Sequence, residues 1–285
     1  MSRRVAGLLL VAPALAVVAL AGTGLVYAAR GSVADGLGGG WNTTAYRELL
    51  TDPVIRESLL TSLCIASVST AGSALLALGA VGAVSTVRGA RRALDAVARA
   101  TLAVPHVLAA AAFALLLAGS GLASRLGHAV GLTGAPADFP VLVAGEGQTA
   151  VLLTYAWKEA PFIALLLLAA HTPAVRDLET AARTLGAGRL QRLLRVTWPL
   201  LAPALVEACL LVFAFTFAAF EVPALLGPSA PRALPVEAVE LYRSVELADR
   251  PRALALAIVT GAVVALAALA AAVISRRLLR ARTLP

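Results

Sequence analysis

The chain has 285 residues, 60% of them hydrophobic and 14% charged, with a mean hydropathy of +0.86. Soluble domains are about half apolar and about a quarter charged, so this composition excludes a water-soluble globular protein and makes the lipid bilayer the solvent. The formal charge of +8 then reports on topology, through where the arginines lie, and no nucleic-acid partner is expected.

Six stretches approach the roughly 20 apolar residues that cross a ~30 Å hydrocarbon core. They lie near residues 5–29, 58–83, 97–118, 149–170, 199–224 and 253–275. The first follows Met1-Ser2-Arg3-Arg4 and exceeds the 7–15 apolar residues of a cleaved signal, so it reads as a retained anchor. Pro105 and His106 interrupt the third span; Lys158, Glu159 and Pro161 interrupt the fourth. Cys64 and Cys209 fall inside apolar runs and read as small apolar side chains, with no disulfide framework. The loops near 30–57, 119–148 and 225–252 carry Gly, Pro and charge, and suit a docking surface or a solvated connector equally.

Six spans put both termini on one side. That side holds fifteen arginines against three acids, and the other eight arginines against ten acids. Basic loops stay in the cytoplasm, so both termini are expected there.

The most informative loop lies between the fourth and fifth spans. Thr172 suits a helix N-cap and Pro173 a first turn. Val175, Leu178, Ala182 and Leu185 recur at spacings of three and four and mark one helical face. Gly186 and Gly188 end that helix. Leu190, Leu193 and Leu194 then alternate with Arg189, Arg192 and Arg195, before Pro199 opens the next span. The expected form is a short amphipathic helix, a glycine turn and a second short basic helix at the membrane surface. The small pair Ala181-Ala182 suits insertion into a groove on a partner; an interfacial helix on lipid headgroups fits the same residues.

This segment resembles the cytoplasmic signature of bacterial ABC importer permeases: Glu-Ala-Ala, three residues, Gly, nine residues, Ile, one residue, Leu-Pro. Here Thr180-Ala181-Ala182 is followed after three residues by Gly186, and after nine more by Val196, Thr197 and Trp198-Pro199. Thr180 stands where the signature has Glu, with Glu179 one position earlier and about 100° around the helix. Trp198 replaces Leu. Ser58 through Ala83, with Ser62, Ser67 and Ser69, looks like the family's first core helix, and Tyr155 through Phe162 resembles its span before the signature loop. Phe217 through Gly227 is similar to the branch that imports polyamines, ferric iron, thiamine, sulfate or related ions.

The resemblance implies an all-α, six-helix, type I ABC importer permease fold. Residues 1–57 are then an added first helix and outer loop, 58–275 the core with a coupling loop at 172–199, and 276–285 a basic cytoplasmic tail. It further implies a permease of the bacterial cytoplasmic membrane that forms half of a translocation path. The other half comes from a second permease, copy or paralogue. A cytoplasmic ATPase dimer docks on Glu179, Thr180, Ala181, Ala182, Leu185, Gly186, Val196 and Pro199, and an extracytoplasmic binding protein delivers the solute. No Walker-type phosphate loop occurs, so ATP hydrolysis is expected on a separate chain. This chain is expected to be non-catalytic and free of cofactors.

Lys158, Glu159, Glu207 and Glu221 fall within or at the ends of spans, where a charge at the bilayer centre costs a few kcal/mol or more. Glu207 and Glu221 are 14 residues apart, near four turns of one helix, and are expected to share a face. Lys158 is expected to pair with Glu159 or Glu207. The set reads as a path lining that suits a cation, or as a structural ion pair between the fourth and fifth spans. His106, beside Pro105, marks a helix irregularity, and no cluster has metal-ligand spacing. Two rivals remain. A six-helix intramembrane serine protease at Ala118-Gly119-Ser120-Gly121 lacks the leading Gly and a His on the last helix. A solitary secondary transporter would show paired broken helices in related halves. Neither needs a docking loop.

Overall fold

The computed structural model describes residues 3–34, 40–84, 90–135 and 138–280. Met1, Ser2, Asp35, Arg88, Arg282 and the end of the expected basic tail lie outside them. The helices, in order, are α1 (Arg3–Ser32), α2 (Thr44–Thr51), α3 (Pro53–Val84), α4 (Ala90–Ala103), α5 (His106–Leu117), α6 (Leu122–Ala129) and α7 (Thr149–Ala170). After these come α8 (Pro173–Thr184), α9 (Arg189–Arg192), a π-helical segment (Leu193–Thr197), α10 (Trp198–Ala218), α11 (Glu221–Leu226), α12 (Leu234–Arg243) and α13 (Asp249–Arg280).

Six helical stretches are long and apolar enough to span a bilayer: Val11–Ser32, Pro53–Ala83, His106–Ala129, Thr149–Ala170, Arg189–Ala218 and Asp249–Arg277. Their number matches the sequence expectation. Three details differ. The third span begins at His106 rather than 97, because Pro105 has no N–H and holds the chain extended at ψ 145°. The residues before it form the separate helix α4. Pro161 does not interrupt the fourth span; α7 runs through it, as membrane helices can when their neighbours absorb the freed carbonyl. The fifth span ends at Ala218 and not at 224, and Glu221 starts a new helix. Pro223 supplies no N–H for the carbonyl of Ala219 and its ring displaces that carbonyl, so residues 219 and 220 leave the helix.

At the centre, α3 packs along α7, and both meet α10. Lipid tails are as apolar as leucine, so close van der Waals approach holds membrane helices together. The α3 stripe supplies it with small buried residues: Ala66, Ser69, Ser73 and Ala77. Ser73 Oγ donates to its own helix at Ser69 O, 2.7 Å away, and lies 3.4 Å from the carbonyls of Tyr155 and Ala156 on α7. Ile163, Leu167, Leu201 and Val212 continue the core toward the loop after α7, and Val151, Tyr155, Val222 and Leu226 toward the other end. α1 lies outside this core, against α13.

The N-terminus of α12 is tied to α3 by one buried bond: Leu234 N–H donates to Ser62 Oγ at 2.7 Å. Ser62→Ala leaves that donor unpaired, at a cost of about 1–3 kcal/mol. A thermal melt in detergent is expected to show a lowered Tm for Ser62→Ala and an unchanged one for Ser67→Ala, whose side chain is exposed.

Candidate functional site

Between α7 and α10 the chain folds into a tight helical hairpin. Thr172 occupies the N-cap position with extended backbone, and Pro173 follows at the first helical position. The Thr172 hydroxyl makes no capping bond, so the pre-set φ of proline carries that end. At the other end Gly186 adopts φ +83°. Its N–H donates to Arg183 O, and Ala187 N–H donates to Ala182 O, each at 3.0 Å. These are the two bonds of a Schellman cap, whose left-handed residue favours glycine. The expected second surface helix is instead continuous with the fifth span, through α9 and the π segment. Trp198 N–H reaches back five residues to Leu193 O. Pro199 cannot donate and crowds the carbonyl four residues earlier, and the helix widens by one residue there.

The residues expected to share one face of α8 divide between two. Val175 is buried, Ala182 half-buried, and Leu178 and Leu185 are 52% and 87% exposed. The inner stripe is Val175, Glu179, Ala182; the outer is Leu178, Ala181, Leu185. Glu179 therefore points into the hairpin. Its Oε1 accepts a hydrogen bond from Thr197 Oγ1 in the π segment and lies 3.1 Å from His171 Nε2 at the end of α7. One carboxylate thus ties together α7, α8 and the start of the fifth span. The Thr180 hydroxyl, at the signature position, donates to Arg176 O in its own helix at 2.9 Å. Val196 is half-buried and Pro199 exposed. A cavity of about 780 Å³ lies beside the hairpin, lined among others by Arg91, His171, Arg183, Arg192 and Trp198.

The charges within the membrane form a different pattern from the one expected. Lys158 and Glu159 are buried on α7. Lys158 Nζ points at Leu102 O, 3.5 Å away in the last turn of α4, and Glu159 Oε1 lies 2.8 Å from Nε2 of His106, the first residue of α5. The break at Pro105 leaves a helix C-terminus and a helix N-terminus side by side, with orphan carbonyls and amides. The ammonium sits at the negative end and the carboxylate beside the positive end. Lys158 and Glu207 do not pair: Glu207 accepts from Ser275 Oγ on α13. Glu207 and Glu221 do not share a helix, because α10 ends between them; Glu221 is an exposed residue in the first turn of α11. Sequence reasoning passed over His106, His171 and Thr197 as partners. Their signals were positional: His106 follows the helix-breaking proline, and His171 and Thr197 close the two arms that α8 joins.

The Glu179 bonds bear directly on the order of the hairpin. Glu179→Ala is expected to speed backbone hydrogen exchange over residues 176–192 on the order of tenfold, as loss of a charge-assisted bond implies. Glu179→Gln, which keeps an acceptor oxygen, is expected to stay close to the parent.

Residues 55–280 match the family described as binding-protein-dependent transport system inner membrane component. The chain is 27% identical over 228 residues to the putrescine transport system permease protein PotI of Escherichia coli, covering 79% of this chain and 74% of that protein. It is 34% identical over 82 residues to the sulfoquinovosyl glycerol transport system permease protein SmoG of Agrobacterium fabrum, covering 29% of this chain and only 27% of that one. Its fold superposes on a chain of a bacterial ABC transporter involved in the import of the acidic polysaccharide alginate, with TM-score 0.73 and 20% identity over 97% of this chain and 99% of the other. A chain of a bacterial alginate ABC transporter in complex with an alginate pentasaccharide-bound periplasmic protein gives a TM-score of 0.71 and 20% identity, over 94% of each chain. With six spans and a family match that runs from α3 through α13, this chain belongs to the binding-protein-dependent inner membrane components, the permease subunits of ABC importers.

Proposed function

We propose that this permease couples to its ATPase through the hairpin at 172–199 and forms half of a solute path with a second permease. In this reading a periplasmic-type binding protein delivers the solute, and an ATPase dimer on another chain hydrolyses the ATP. The observation that carries it is the outer stripe of α8. Leu178 and Leu185 are exposed on a helix whose inner side is held by Val175 and Glu179 and whose end is locked by Gly186. An apolar edge on an ordered element suits a protein groove, and the small Ala181 between Leu178 and Leu185 allows close approach. Thr180, Ala181, Leu185 and Gly186 make the docking surface, and the inward Ala182 lets α8 pack closely within the hairpin. Glu179, Val196 and Pro199 set its position from within.

The arginine asymmetry supports placing both termini and this hairpin in the cytoplasm, and the chain in the bacterial cytoplasmic membrane. Residues 1–57 serve as an added helix and outer loop, 58–275 as the transport core and 276–285 as a basic tail. Lys158 and Glu159 brace the break at Pro105. Exposed Glu221, at the start of α11, lines the path, since a carboxylate at a break in a span needs water or a partner.

Purification of the tagged chain from cells expressing its partners is expected to recover an ATPase, which Gly186→Pro and Ala181→Arg abolish. A monodisperse chain without ATPase would overturn the coupling reading and favour a solitary transporter.

Glu221→Gln tests the path separately. Uptake is expected to fall roughly tenfold, the factor about 1.4 kcal/mol makes, with ATPase recovery unchanged. Unaltered uptake removes Glu221 from the path.

A further inference from the structure

The helix α4 sits where its composition does not belong. Arg91 Nη2 donates to Leu168 O at 3.1 Å, near the end of α7, and Leu102 O faces Lys158 Nζ near the middle of α7. With one end at each level, α4 runs antiparallel along half of a membrane-spanning helix. Eleven residues separate Arg91 from Leu102, a rise of about 16 Å, close to half of a hydrocarbon core.

Around its axis α4 has three faces. Ala98 and Thr101 are buried. Ala93, Ala96, Val97 and Ala100 form an exposed apolar face. Between these lies a charged stripe of Arg91, Arg92, Asp95 and Arg99, continued by Leu102. Asp95 is bound by Arg99 through two bonds of 2.8 and 3.1 Å. Arg92 makes no such bond among the described residues. Across a cleft of about 740 Å³ the stripe faces Phe162, Leu165 and Leu166 of α7.

Hydrocarbon tails do not accept such a stripe. Charged side chains at membrane depth face a water-filled cavity or a partner, whereas the alanine-valine face suits lipid. We propose that the charged stripe of α4 lines the half of the translocation path nearest the coupling hairpin, and that its positive balance makes this exit favour anionic solutes bearing carboxylate, sulfate or sulfonate groups. This rests on the permease reading above. Three arginines stand against one acid already neutralised by Arg99, so the cleft carries a positive field, and low-dielectric walls such as Phe162 and Leu165 focus it. The volume lies in the range of small-molecule sites.

The test uses the full chain co-expressed with its partners, in inside-out vesicles, with Cys64 and Cys209 changed to Ala. Single cysteines are placed at Leu102 and Arg92 in the stripe and at Val97 on the apolar face. Two membrane-impermeant methanethiosulfonates are compared, one carrying sulfonate and one trimethylammonium. Leu102→Cys and Arg92→Cys are expected to react and Val97→Cys to stay silent. Relative to a free thiol, the sulfonate is expected to gain at least about tenfold over the ammonium at Leu102→Cys, and adding Arg99→Gln to reduce that preference.

Silence at both stripe positions means lipid or protein covers the stripe and overturns the proposal. Equal or reversed reagent preference overturns the anionic assignment. If ATPase still co-purifies in either case, the coupling reading stands and only this inference fails; if ATPase is absent, the permease assembly itself is at fault.

Discussion

Backbone amides and carbonyls inside a bilayer have no water to bond, so every departure from helix must be answered by the protein itself. The architecture follows from how this chain meets that constraint at Val104–Pro105 and at Ala219–Phe220. At the first break two consecutive residues of α7, about 100° apart around that helix, reach different half-helices. Lys158 goes to the carbonyl end of α4 and Glu159, through His106, to the amide end of α5. Opposite charges that would each be costly alone are stabilised by helix termini that would otherwise be orphaned. At the second break α11 packs against α5 and its last turn supplies Leu226 O to Ala144 N–H at 2.8 Å. The two broken spans therefore meet each other.

The hairpin between α7 and α10 obeys the same rule. The Schellman bonds at Gly186 close α8, and the π segment absorbs Pro199 without freeing the chain. Glu179 then joins the hairpin arms. If α8 docks as proposed, a force applied to its outer stripe reaches the fifth span through the Glu179–Thr197 bond and the fourth through His171. That is a short path made of side chains held on both sides, which suits rigid-body transmission of a partner's motion.

Much of this was legible in the sequence. Long apolar runs announce spans because length and hydropathy are properties of consecutive residues, and all six were found. The glycine turn was legible because φ +83° favours glycine. The misplacements share one cause. Pro105 and Pro223 act on residues before them, so a span drawn by hydropathy alone runs straight through breaks that backbone chemistry imposes; Pro161 lies inside the unbroken α7 and breaks nothing. Partners separated in sequence, such as Lys158 with Leu102 and Glu207 with Ser275, were not legible, since periodicity fixes which face a residue takes but not what it meets. Glu179 is the sharpest case. One residue of displacement from the signature position turned it from an outward face to the inward one, a consequence of 100° per residue that became a role only once Thr197 and His171 were in place.

The same rotation explains how α4 can be charged and still lie along a membrane span. A helix presents about three separable directions over its circumference, and α4 uses each for a different solvent: Ala98 and Thr101 for protein, Ala93, Ala96, Val97 and Ala100 for apolar surroundings, and Arg91, Arg92, Asp95 and Arg99 for water. Breaking the third span at Pro105 is what permits this. A continuous helix from Ala90 to Ala129 would have to carry one facial pattern along its whole length, and α5, with His106 through Leu117 apolar almost all round, has no polar direction to continue the stripe. The break uncouples the rotation of the charged half from that of the apolar half, and Lys158, through Leu102 O, and Glu159, through His106, fix the two halves to α7 in their separate orientations.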